Sequence, residues 1–176
     1  DYEEWNAQAR QFEHLAYVNN HTFTLTDVAE PATVPGAVMT ASAWPLLGLR
    51  PILGRTFTAA EDRPGADPVC VISQGAWETR FGSDPAILQR QIMLDGRAHT
   101  VVGVMPARFK FWAAEIWTPV GLEADTELMR SRVLRMGAWV VGKLKPGVTV
   151  AEAQAELATI AERIAIEHAD THKGVG

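Results

Sequence analysis

The dipeptide Asp95-Gly96 constrains this chain more than any other pair of residues. It separates two apolar stretches, Ile92-Met93-Leu94 and His99 to Met105. Asp-Gly in that setting favours a two-residue turn in which both residues take positive φ. An antiparallel hairpin, and with it a β-sheet, is therefore predicted in the middle of the chain. The apolar run Val69-Cys70-Val71-Ile72 reads as a short buried strand. Ser73 then stands at an N-cap position, ahead of a helix carrying Trp77 and Phe81 and stopped by Gly82. Asp84-Pro85 supplies a second cap, with proline at the first helical position. Glu115 to Val120 reads as a further strand.

Outside this middle section the patterns alternate between the two periodicities. Trp5, Ala9, Phe12, Leu15 and Ala16 recur at three- and four-residue spacing, which predicts an amphipathic helix over 2–18. His21 to Thr26 alternates strictly and reads as a half-buried strand. Thr33 to Thr40 reads as a second strand, at a sheet edge because Pro35 has no N–H to donate. A short helix with Trp44 is expected over 42–47, and the Gly/Pro/charge-rich stretch 48–68 reads as a crossing between two structural units. Residues 121–135 are polar, with Arg130, Arg132 and Arg135 close together, and Met136 to Leu144 is strand-like. Thr149-Val-Ala-Glu152 is a capping box opening a helix to about His168, with Val150, Ala153, Leu157, Ile160 and Ile164 on one face. The fold class is α+β.

Charge narrows the function classes. Residues 31–110 hold six acids and eight bases, the most basic segment of a chain whose net charge is −5. No segment concentrates the positive charge that a phosphate backbone requires, so nucleic acid is not an expected partner. No run approaches the roughly 20 apolar residues of a spanning helix, and no signal peptide is visible.

Each chemical motif meets a structural explanation of equal or greater reach. The single cysteine, Cys70, lies in an apolar run and reads as a small buried hydrophobe. Gly142 to Gly147 has glycines and lysines without phosphate-loop spacing, and Pro146 removes a donor. His168 and His172, with Asp170 and Glu167, have the i, i+4 spacing of a metal pair, and a metallohydrolase is a third-ranked reading. Glu61, Asp62 and Asp67 cluster without the alternating pattern of a calcium loop. Ser73 has no nucleophile elbow, and its cap role accounts for it. No catalytic, cofactor or metal residue is assigned, and no cofactor is expected. The six tryptophans Trp5, Trp44, Trp77, Trp112, Trp117 and Trp139 read mostly as core anchors. Phe109, Phe111 and Trp112, beside Arg108 and Lys110, form the one candidate partner-contact loop.

The order of short motifs resembles one family. These are Tyr2-Glu-Glu-Trp5 with Phe12-Glu-His-Leu15, Leu49-Arg-Pro-Ile-Leu-Gly-Arg-Thr-Phe57 with Glu61-Asp62, and Val71-Ile-Ser-Gln-Gly-Ala-Trp77 with Arg80-Phe81-Gly82. Asp84-Pro85, Ile92-Met-Leu-Asp-Gly96, His99-Thr-Val-Val-Gly-Val-Met-Pro106, Ile116-Trp-Thr-Pro119 and Leu144-Lys-Pro-Gly-Val-Thr149 follow. Together they resemble the MacB-like periplasmic core domain of ABC-transporter permeases, of the macrolide-exporter and lipoprotein-releasing type. The resemblance implies two lobes: a discontinuous porter-like α/β sandwich lobe (1–48 and 133–176) and a small inserted mixed α/β lobe (49–132). It implies a non-catalytic domain on the periplasmic, extracytoplasmic face of the cytoplasmic membrane, relaying ATP-driven motion from an ATPase not in this chain. The expected partners are the permease's own transmembrane helices, its ATPase, and a periplasmic adaptor or lipoprotein. The whole permease is expected to be a homo- or heterodimer, and this piece alone a monomer. The family has a strand before the first helix and another after the last, so the chain reads as cut from a longer permease. A soluble binding module using Phe109–Trp112 is the alternative.

Overall fold

The structure, a computed structural model, describes residues 2–26, 30–123 and 138–167. Helices α1 (Tyr2–Gln8), α2 (Ala43–Leu47), α3 (Gln74–Phe81) and α4 (Val150–Glu167) surround eight strands. The strands are β1 (Phe12–Leu25), β2 (Ala32–Met39), β3 (Leu53–Gly54), β4 (Val69–Ser73), β5 (Gln91–Leu94), β6 (Arg97–Met105), β7 (Ile116–Pro119) and β8 (Ala138–Leu144). They form one mixed sheet in the order β2-β7-β4-β6-β5-β1-β8, with β3 on β6, and the class is α+β as read from the sequence. Because β2 also pairs with β1, the ladder returns on itself, and the return through β5 is a single residue pair, Leu25 opposite Leu94.

The local signals produce what they predict. Asp95 and Gly96 take φ of 50° and 78°, and Leu94 faces Arg97 across the turn. Ser73 Oγ accepts the Ala76 N–H at 3.0 Å, and Gly82 closes α3 in the left-handed region. Asp84 caps only a 3-10 turn, Pro85–Ile87. At α4, Thr149 Oγ1 accepts the Glu152 N–H while the Glu152 carboxylate accepts the Thr149 N–H. Ala153, Ile160 and Ile164 face the core as expected, but Val150 is exposed in the first turn.

Two expectations fail for long-range reasons. The helix predicted over 2–18 stops at Gln8, and residues from Phe12 onward run as β1. Leu15, Ala16, Tyr17 and Val18 are buried consecutively, so both faces of β1 are covered where it pairs with β8. A strand buried on both faces loses its alternation and can imitate a helical stripe. The switch is fastened by Glu156 of α4, whose carboxylate accepts the N–H groups of Arg10 at 2.8 Å and Gln11 at 3.0 Å. Strand β2 is also not an edge. It sits between β1 and β7, and Pro35 is tolerated because the parallel ladder to β7 begins one residue later, at Gly36. The Pro35 carbonyl still accepts the Glu115 N–H at 2.7 Å.

The sheet has a core on each face. Val69, Val71, Val102, Met105 and Trp117 join α2 and Trp44 on one side. Cys70, Ile72, Val101, Val104 and Ile116 join Phe23, Leu25, Phe81 and Ile92 on the other. Both cores draw on residues from 1–48 and from 49–132, since β2 pairs with β7.

Candidate functional site

The polar motifs disperse into structural roles. Cys70 is fully buried, and burial raises its thiol pKa well above the ordinary range, so no thiolate forms. Glu61 turns to Arg55 in a two-point ion pair of 2.7 and 2.9 Å. The Arg55 guanidinium, against a smaller opposing effect of burial and with help from the Thr58 N–H and hydroxyl, lowers its pKa to about 2. Asp62 points the other way, accepting the N–H groups of Ala41 and Gly121, each at 2.7 Å. Burial raises the pKa of Asp62 despite those two bonds. Asp67 stays exposed, so the three acids share no centre. Among the described residues no three His, Cys, Asp or Glu converge as a metal set. His168, Asp170, His172 and the arginines 130, 132 and 135 lie outside the described residues. Of the Gly142–Gly147 run, Gly142, Lys143 and Leu144 belong to β8, and Lys143 pairs with Glu13.

A shallow cleft of about 520 Å³ separates α1 from α4. Ala7, Gln8, Arg10 and Gln11 line one side, and Glu156, Thr159, Ile160 and Arg163 the other. The end of α1 and the residues that lead into β1 therefore lie against the middle of α4.

The loop joining β6 to β7 is built differently. The Phe109 N–H donates to Pro106 O, and the Ala107 N–H to Gln74 Oε1 of α3, which anchors its entry. Trp112 and Ala113 both take left-handed φ, 51° and 52°, turning the chain back toward β7. Phe109 is 6% exposed and packs on Trp117 at 5.0 Å and Trp44 at 6.0 Å. Phe109 therefore sits in the core beneath the candidate loop, while its neighbours lie nearer the surface. Phe111 stacks on Phe109 at 5.9 Å, and Trp112 meets Phe111 at 4.5 Å; both are half-buried. Trp112 then reaches Trp139 of β8 at 6.2 Å, and Trp139 is 56% exposed. The rings thus run unbroken from the core to the surface, ending in an aromatic lip. Trp139 was expected among the anchors. It stands instead where the buried face of β1 meets the last strand of the sheet, opposite Val18. The local sequence carried no sign of that, since it depends on which strand ends the sheet.

The described residues thus form an α+β domain with a two-faced sheet and an aromatic lip, and no three His, Cys, Asp or Glu among them converge as a metal set. A family profile described as MacB-like periplasmic core domain matches residues 1–160. The periplasmic region of MacB from Actinobacillus actinomycetemcomitans has the same fold, with a TM-score of 0.69 at 15% identity, over 95% of this chain and 73% of that one. The extracellular domain of the noncanonic ABC-type transporter YknZ from Gram-positive bacteria aligns with a TM-score of 0.68 at 16% identity, over 95% and 83%. Comparison with curated proteins gives no match. The chain belongs to the MacB-like periplasmic core domain family, the extracytoplasmic domains of ABC transporter permeases. Domains of this family are generally non-catalytic, and no described helix here is long and apolar enough to cross a membrane.

Proposed function

We propose that this domain is a mechanical relay, carrying ATP-driven motion of its permease to substrate or partner proteins outside the membrane. One observation carries the reading: the fourteen-residue strand β1 belongs to both halves of the molecule. Its first half pairs with β8, beside α1 and α4, and its second half pairs with β2 and touches β5. In this reading displacement enters at the α1/α4 side and travels along one stiff strand to the hairpin turn at Asp95-Gly96. On the same reading residues 1–48 and 133–176 form the porter-like lobe and 49–132 the inserted one, joined by the pairings of β1 with β5 and of β2 with β7. The ATPase is a separate domain or subunit, the working unit is a dimer, and the far end meets an adaptor or lipoprotein.

The test uses the parent permease in nanodiscs, spin-labelled at the exposed positions Gln154 and Ser83. ATP binding is expected to change the distance between the two copies of Gln154 while the Gln154–Ser83 distance within one domain holds. A domain whose copies keep their separation through the ATP cycle is not a relay.

A further inference from the structure

We infer that Phe111, Trp112 and Trp139, flanked by Arg108 and Lys110, form a docking surface for an acidic segment of a partner protein that bears apolar side chains. The inference stands apart from the relay reading, because it rests on the surface alone. Trp139 is the sole aromatic ring among the exposed large hydrophobics of the described residues. Its neighbours hold it in place: Trp112 is wedged between Phe111 and Trp139, and Phe111 stacks on buried Phe109. A ring already fixed by packing loses little freedom on binding, so its contact area converts efficiently into affinity. The lip also stores strain. A tryptophan and an alanine in succession at left-handed φ are strained, and the surrounding packing must sustain them.

Charge selects the occupant. Residues 106–114 hold two cations and no acid, in a chain with a net charge of −5. Arg108 and Lys110 are exposed, and neither makes an ion pair or side-chain hydrogen bond among the described residues. The nearby groups are already committed. Glu115 is held by Arg80 at 2.9 Å, Gln74 Oε1 accepts from Ala107, and Lys143 farther along β8 is paired with Glu13. A partner carrying carboxylates beside apolar side chains matches both halves of this surface. A bilayer matches it poorly. Interfacial insertion requires side chains standing several ångströms clear of the protein, roughly 5–10 Å of buried depth, whereas Trp112 lies half-buried against its own neighbours.

The test pans a library of random short peptides, displayed on phage, against the folded chain. Affinities of the enriched peptides are then compared for wild type, Trp139→Ala and the charge reversal Arg108→Glu/Lys110→Glu. Circular dichroism and thermal melts check that the variants fold, which their exposed positions favour. Enriched sequences are expected to carry an excess of Asp and Glu with aromatic or Leu residues. Each variant should weaken binding about tenfold or more, and wild-type binding should fall with salt. Enrichment without acidic bias, or binding unchanged in either variant, overturns the proposal. So does saturable binding of phosphatidylglycerol vesicles that depends on Trp139 while no peptide is enriched, an outcome that would assign the lip to a membrane.

Discussion

Glu61 and Asp62 are neighbours in sequence, yet the fold moves their pKa values in opposite directions. The ion pair with Arg55 lowers Glu61 from its ordinary 4.5 to about 2. Between those values the native state binds fewer protons than the unfolded chain. The stability Glu61 contributes is therefore fully present above about pH 4.5 and lost as pH falls toward 2. Glu61→Gln is expected to flatten the acid side of a stability-versus-pH curve, and the contribution should weaken with salt, since Arg55 is half-exposed. Asp62 works against this: with its pKa raised by burial, its proton is held more firmly in the native state, and its contribution grows as pH falls. Its value lies in geometry. It ties Ala41, at the entry to α2, to Gly121, where an added Cβ would overlap the backbone of Asp62 and Arg63. Asp62→Ala leaves two inward-facing N–H groups without their acceptor and is expected to cost about 2–3 kcal/mol in urea unfolding. Glu61→Ala should spare those two bonds, so a Glu61→Ala that matched Asp62→Ala in cost would refute the clasp.

At the level of elements, the junctions carry the information that local pattern lacks. The α1-to-β1 switch is held by Glu156, some 145 residues away in sequence. Glu156→Ala is expected to raise amide exchange at Arg10 and Gln11 selectively and to cost about 1–2 kcal/mol, with exchange in β4 and β6 unchanged. The return of the ladder at Leu25–Leu94 depends on the hairpin turn in a similar way. Asp95 accepts the Thr24 N–H at 2.7 Å and meets His21 Nε2 at 2.8 Å while holding a positive φ that suits Asp better than Ala. Asp95→Ala should therefore loosen β1 from β5 by about 1–2 kcal/mol, seen as faster exchange at Thr26, whose N–H donates to Met93 O. The hairpin turn, the Ser73 cap and the Thr149/Glu152 box were legible because the pairs Leu94–Arg97, Ser73–Ala76 and Thr149–Glu152 are each only three residues apart. The end of α1, the interior place of β2 and the exposure of Trp139 were not, because each is set by a strand from elsewhere in the chain. Aromatic crowding shows in the sequence, whereas the burial of Phe109 under Trp44 and Trp117 shows only in the fold.

For the molecule as a whole, the resemblance carried the family while the individual residues carried no activity. The fold itself is kept where pairwise identity has fallen to 15%. The isolated chain is expected to sediment as a monomer of 19.2 kDa, and a concentration-independent dimer would contradict the view that dimers of this class are held by parts outside it. The two-edged strand β1 has a mechanical consequence. Tension applied at the α1 end pulls along β1, across hydrogen bonds that run to β8 on one side and β2 on the other. Bonds loaded side by side share the force and yield together, as glued laths do when slid past one another, rather than parting in turn like a seam. A single molecule stretched from that end should resist until it gives way in one step, whereas pulling on β8 across its ladder to β1 should peel it at far lower force.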